Sequence, residues 1–194
     1  MASLFERLKA GTQQDHREIE ALIDPMSNFA SLDAYKAHLI KTWGIYQPLE
    51  AGLAALDWTA VGIDLVAREK TPLLDEDMRF LGISHVQPDD NKPTLDRANL
   101  DFALGCLYVL EGATLGGQVI STYLAKLGIG PENGGRFFNG DGKRTGEMWK
   151  SFQATATDYC VTEAQMAEAV SGAKSTFRIF RDAMSQKEHF IHAS

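Results

Sequence analysis

Residues 107–120 read LYVLEGATLGGQVI, inside a run, 95–127, that holds no proline and repeats its apolar residues at a helical period. Gly112, Gly116 and Gly117 stand in that run. A glycine inside a helix costs about 1 kcal/mol relative to alanine, so the three cost about 3 kcal/mol, a large part of a small domain's net stability. Something must offset that cost. Gly112 and Gly116 are four residues apart and share a face, with Gly105, Tyr108 and Val119 near the same stripe. The helix therefore shows bare backbone to a neighbour, either a second helix or a flat ligand. Two glycines at this spacing are a general device for close helix approach. A third glycine, and the bend and freed backbone groups that glycines allow, point toward a ligand.

Working outward, periodic helical segments cover most of the chain. The first spans about 3–23, with Leu4, Leu8, Thr12, His16, Ile19 and Ile23 at steps of three and four, and Asp24-Pro25 ends it. Ser31 starts a second, carrying Tyr35, Leu39, Trp43 and Tyr46 toward Pro48, which should kink or end it. The pattern weakens over 51–68. A short helix then opens at Thr71-Pro72 and closes at Gly82, and 84–93, with two prolines and paired aspartates, reads as a loop. Beyond the glycine-bearing helix, PENGGRFFNGDGKR (131–144) reads as turns around a Phe137-Phe138 anchor. Thr145 starts a helix with Met148, Trp149 and Phe152 inward, and Thr162 starts the last, with Met166, Val170, Phe177 and Phe180. No strand alternation and no repeat is visible. The expected fold is all-α, a single domain over 1–194.

A net charge of −7 without basic runs argues against nucleic acid. Cys106 and Cys160 are far apart and show no zinc spacing, which suits a reducing cytosol. No signal-type h-region and no uninterrupted apolar run of about eighteen residues appears. The expectation is a cytoplasmic protein without a membrane span.

His16 is the residue with most chemical potential. A histidine on an apolar stripe often serves only the core, but Glu20 lies one turn on, where its carboxylate can accept the Nδ1 proton and leave Nε2 for a metal. Lys9 lies two turns back on the same side. This set suits an anionic metal macrocycle. A di-iron bundle needs Glu-x-x-His pairs, and no glutamate here has a histidine three residues on. His38, His85, His189 and His192 share no spacing with His16, and the last two lie in a polar tail. Both cysteines lie in apolar helical contexts that favour a structural role. Asp75, Glu76 and Asp77 read as a solvated helix face.

Two segments, LKAGTQQDHREIE (8–20) and YVLEGATLGGQVI (108–120), resemble the signature segments of heme oxygenases in order and separation. KTPLLDEDMRFLG (70–82), RFFNGDGKRTGEMWKSF (136–152) and GAKSTFRIF (172–180) are similar to the bacterial branch associated with bacteriophytochromes. The resemblance spans nearly the whole chain. It implies heme as cofactor and substrate, dioxygen as co-substrate, and cleavage to biliverdin, carbon monoxide and iron. It makes His16 the iron ligand and Glu20 its hydrogen-bonding carboxylate. Gly112, Gly116 and Gly117 become the glycines passing over the heme. Lys9, Tyr108 and Lys150 match propionate contacts, and Phe177 and Phe180 line the pocket. It further implies an electron donor such as ferredoxin, and a bacteriophytochrome as recipient of the product. Animal members carry an aspartate after the first glycine where this chain has Ala113, so the distal water lacks a side-chain anchor. Two rival readings share the fold: a non-catalytic heme sensor or carrier, and a thiaminase-like enzyme with a cysteine nucleophile.

Overall fold

The computed structural model describes residues 2–83 and 94–186, so the expected loop at 84–93 and His85, His189 and His192 lie outside the described residues. These fold into eight α-helices with no strand among them: α1 (Leu4–Leu22), α2 (Pro25–Asn28), α3 (Leu32–Ala54), α4 (Thr71–Phe80), α5 (Leu100–Lys126), α6 (Arg136–Asn139), α7 (Thr145–Tyr159) and α8 (Glu163–Ser185). Short 3-10 turns cover Trp58–Ala60, Val66–Arg68 and Gly142–Arg144.

Capping chemistry sets most helix starts. Ser3 with Glu6 and Thr162 with Gln165 form capping boxes at α1 and α8. Asn99 caps α5 through the Phe102 amide, so this helix begins at Leu100 and not at 95; the apolar period continued upstream of the residue that ends it. Gly82 and Gly128, with φ of 69° and 76°, follow α4 and α5 in the left-handed region.

Pro48 neither ends nor interrupts α3, which continues to Ala54. Ile45, Tyr46, Leu49 and Leu53 are buried on both sides of it, and the residue four back is Gly44, with no side chain to add to the crowding.

At the centre α5 lies on α8, and α1 packs on α8 from another side. Glycines make the α5–α8 approach possible: a Cβ on Gly105 would sit 1.8 Å from the Ala169 carbonyl oxygen, and one on Gly172 would sit 1.9 Å from that of Phe102. By length and composition α5 could cross a bilayer, but 56% of its apolar window is buried inside the bundle.

Candidate functional site

The stripe of α1 that carries His16 leaves the core along its length. Leu4, Leu8 and Thr12 are buried, whereas the His16 side chain is 60% exposed. Its ring meets Phe177 of α8 edge-on, centroids 5.9 Å apart, and Phe177 itself is buried. Nδ1 lies 3.4 Å from Glu20 Oε2. The carboxylate is within reach of a proton on Nδ1, and with the proton there the lone pair would lie on Nε2.

The glycine stripe of α5 divides in two. Gly105 is pressed onto α8, while a Cβ on Gly112 or Gly116 would meet nothing within 4 Å. Leu115 and Val119 beside them are exposed apolar residues, and Ala113 is exposed as well. α1 and α5 both pack on α8, yet their backbones scarcely approach each other. The result is a slot with α8 as its floor.

One end of the slot is closed by aromatic rings. Tyr108 of α5 lies 6.0 Å from Phe5 of α1 and 5.8 Å from Trp149 of α7, centroid to centroid. Burial pushes the Tyr108 hydroxyl pKa up, and Thr12 beside it works the other way. Lys9 and Lys150 are exposed on α1 and α7, the helices that supply Phe5 and Trp149. Phe180 is buried against Tyr46, farther from the slot.

Gly117 corrects the sequence reading. It faces the rear of α5, where a Cβ would lie 2.7 Å from the Phe138 carbonyl oxygen, so close backbone packing accounts for this glycine and the slot does not. The rear face also carries Glu111 and Thr114, both buried. Asp77 is a second correction. It is buried, and its two oxygens accept the backbone N–H groups of Arg136 and Phe137 at 2.7 and 2.8 Å; only its neighbours Asp75 and Glu76 face solvent.

Sequence reasoning missed a set of buried charges behind α5. Arg68 pairs with Glu111 at 2.9 Å, Lys70 with Asp141 at 2.9 Å, and Glu50 accepts the backbone N–H groups of Lys70 and Thr71. Burial raises the pKa of Glu111, and Arg68 opposes that shift. Glu111 was findable, as a lone charge among apolar residues. Arg68 and Lys70 look like ordinary surface cations in a polar stretch.

The slot suits a flat, anionic, metal-bearing macrocycle. A half-exposed imidazole on one side, bare main chain on the other, an apolar floor and cations near the closed end are the donor set heme requires. Comparison with known proteins gives the same answer: a family model described as heme oxygenase matches residues 2–186. The chain belongs to the heme oxygenase family. A heme oxygenase of Xanthomonas campestris is 33% identical over 132 residues, covering 66% of this chain and 76% of that one. Heme oxygenase PigA of Pseudomonas aeruginosa is 25% identical over 182 residues, 93% and 91% of the two chains. The fold matches the Neisseria meningitidis heme oxygenase with a TM-score of 0.83 at 21% identity, over 97% of this chain and 96% of that one.

This heme oxygenase is thus a heme-degrading enzyme. A thiaminase-like mechanism has no reactive thiol to use among the described residues. Burial pushes Cys106 up to about 12 and Cys160 up to about 11, and both are inaccessible.

Proposed function

We propose that the slot between α1 and α5 holds heme as both cofactor and substrate, with His16 as the iron ligand and biliverdin, carbon monoxide and iron as products. What carries this reading is a solvent-open His16 seated on Phe177, paired with glycine positions on α5 that have nothing in front of them. When bound, heme supplies a redox-active iron and is itself the ring to be opened. His16 offers Nε2, and Glu20, with Oε2 3.4 Å from Nδ1, is within reach to accept its proton, which would fix the tautomer and make the imidazole a stronger donor. Gly112 and Gly116 leave dioxygen, the co-substrate, a shallow space bounded by main chain. Ala113 contributes no polar side chain there to anchor a water.

Lys9, Tyr108 and Lys150 receive the two propionates, and Leu115, Val119 and Phe177 form the apolar walls. Heme oxygenases draw electrons from an external donor, here ferredoxin or another reductant. The segments resembling the bacteriophytochrome-associated branch support delivery of biliverdin to such a receptor, in the cytoplasm.

Adding hemin to the purified protein should give a Soret band of a histidine-ligated heme, and ferredoxin, its reductase and NADPH should then yield biliverdin, mainly the α isomer. A stable heme complex that never yields biliverdin would identify a carrier instead. His16→Ala should abolish the histidine spectrum and turnover while changing stability by no more than about 0.5 kcal/mol, as expected for an exposed side chain. Loss of folding in that variant, without rescue by imidazole, would mean that His16 is structural.

Seating of the ring should depend on its propionate contacts. A charge-assisted bond of about 1.5 kcal/mol shifts the ratio of two seatings roughly tenfold. Lys9→Glu with Tyr108→Phe should therefore give a mixture of bilin isomers on chromatography. A single unchanged isomer would assign the propionates to other groups, Lys150 first.

A further inference from the structure

Over residues 112–116 the slot side of α5 carries only Leu115 and the Ala113 methyl beside the open positions of Gly112 and Gly116, so the height of this backbone above the slot is set from behind. Three contacts are available there. Gly117 rests on the Phe138 carbonyl, Thr114 lies against Gly140, and Glu111, adjacent to Gly112, is joined to Arg68. Apolar contacts tolerate shifts of a few tenths of an ångström, whereas a charge-assisted bond has a narrow range of distance and direction.

The Arg68–Glu111 contact is the directional one. Both side chains are buried, at 6% and 3% exposure, and Nη1 donates to Glu111 Oε2 at 2.9 Å. The same nitrogen donates to the Met148 carbonyl at 3.2 Å, and the guanidinium lies 5.9 Å from the centre of the Phe152 ring, so Arg68 also grips α7. Its own position is secured two residues on, where Lys70 is bonded to Asp141 and its backbone to Glu50. A buried ion pair is a poor means of stabilising a fold, because apolar residues of equal volume do as well or better. Five charged residues gathered behind the glycine stretch therefore call for a geometric reason.

We infer that Arg68 and Glu111 are positioning residues for heme cleavage: their bond fixes the Gly112 backbone over the slot and ties it to α7. The inference rests on heme occupying that slot.

The test replaces the pair by apolar residues of similar volume, Arg68→Met with Glu111→Met. Each single variant leaves a buried charge alone and should lower the thermal midpoint of the apoprotein, and the double variant should recover it. In the recovered double variant, amide exchange of the apoprotein across 107–120 should rise about tenfold or more. With hemin, the histidine spectrum should persist while biliverdin formation falls about tenfold or more and the isomer pattern broadens. Wild-type exchange together with wild-type turnover and isomer would overturn the inference. Should the double variant not fold, Arg68→Lys keeps the charge but shortens the reach of the single nitrogen that bridges Glu111 and the Met148 carbonyl and loses the planar group at the Phe152 ring. It should raise exchange over the same residues, and unchanged exchange would again overturn the idea. Exchange needs no heme, so a wild-type protein that took up no hemin would defeat the heme reading, and this inference with it, by a separate signal.

Discussion

One methyl group distinguishes two kinds of glycine in α5. Gly112→Ala puts a Cβ into open space and removes the helix penalty of glycine, so it should stabilise the apoprotein by up to about 1 kcal/mol while impairing turnover. Gly105→Ala puts the same atom 1.8 Å from the Ala169 carbonyl oxygen and must push two helices apart, at a cost of about 3 kcal/mol or more. Urea unfolding of both apoproteins decides it, and two shifts of the same sign would contradict the division of the stripe. The spacing of Gly105, Gly112 and Gly116 was legible in the sequence; which of them faces a helix and which faces open space depends on where α8 ends its contact. His38 is another residue whose role came only from the fold. Burial among Phe29 and Phe138, with Lys41 nearby, lowers its pKa from 6.5 to about 4. The folded state thus binds fewer protons than the unfolded one between those values. Its contribution, about 3 kcal/mol, is present above pH 6.5 and lost as pH falls toward 4. Replacing His38 by Phe should flatten the pH dependence of apoprotein stability across that window.

Whole elements were easier to read than their joints. Capping residues and the 3.6-residue period located α1 and α4 and the starts of α3, α7 and α8 to within a residue or two, whereas α5 starts five residues inside its expected run and α3 runs six residues past Pro48. What stayed hidden was how the irregular segments are fixed, because that depends on contacts far apart in sequence. The turn-rich stretch that carries α6 is held by Asp77, about sixty residues upstream by sequence separation. Burial raises the Asp77 pKa against the pull of its two N–H donors, as expected for a carboxylate enclosed to serve main chain. Asp77→Ala would leave those two N–H groups buried and unpaired, at about 1 to 3 kcal/mol each. Since Phe138 supports Gly117, the loss should also raise amide exchange in 135–140 and in the middle of α5. A drop in stability with no local change in exchange would show that Asp77 serves α4 alone.

At the scale of the molecule, α8 is the common support and the slot is where the bundle is incomplete: α1 and α5 meet through it, and through the aromatic end at Tyr108, more than they meet each other. A ligand that fills the slot and binds only the folded protein stabilises it by about 2.7 kcal/mol at one hundred times its dissociation constant. For a chain of this size each kcal/mol raises the midpoint by roughly 2 to 4 °C, so saturating heme should raise it by about 5 to 10 °C. The gain should be uneven. Protection from amide exchange should increase in the half of α1 that carries His16 and in the Gly112–Gly116 stretch of α5, and little in α4, which packs on α3 and α6. In His16→Ala the shift should shrink but persist, because burial of the ring against Phe177, Leu115 and Val119 does not require the iron bond. A midpoint that heme leaves unmoved in wild type, or protection spread evenly over all helices, would place heme somewhere other than between α1 and α5.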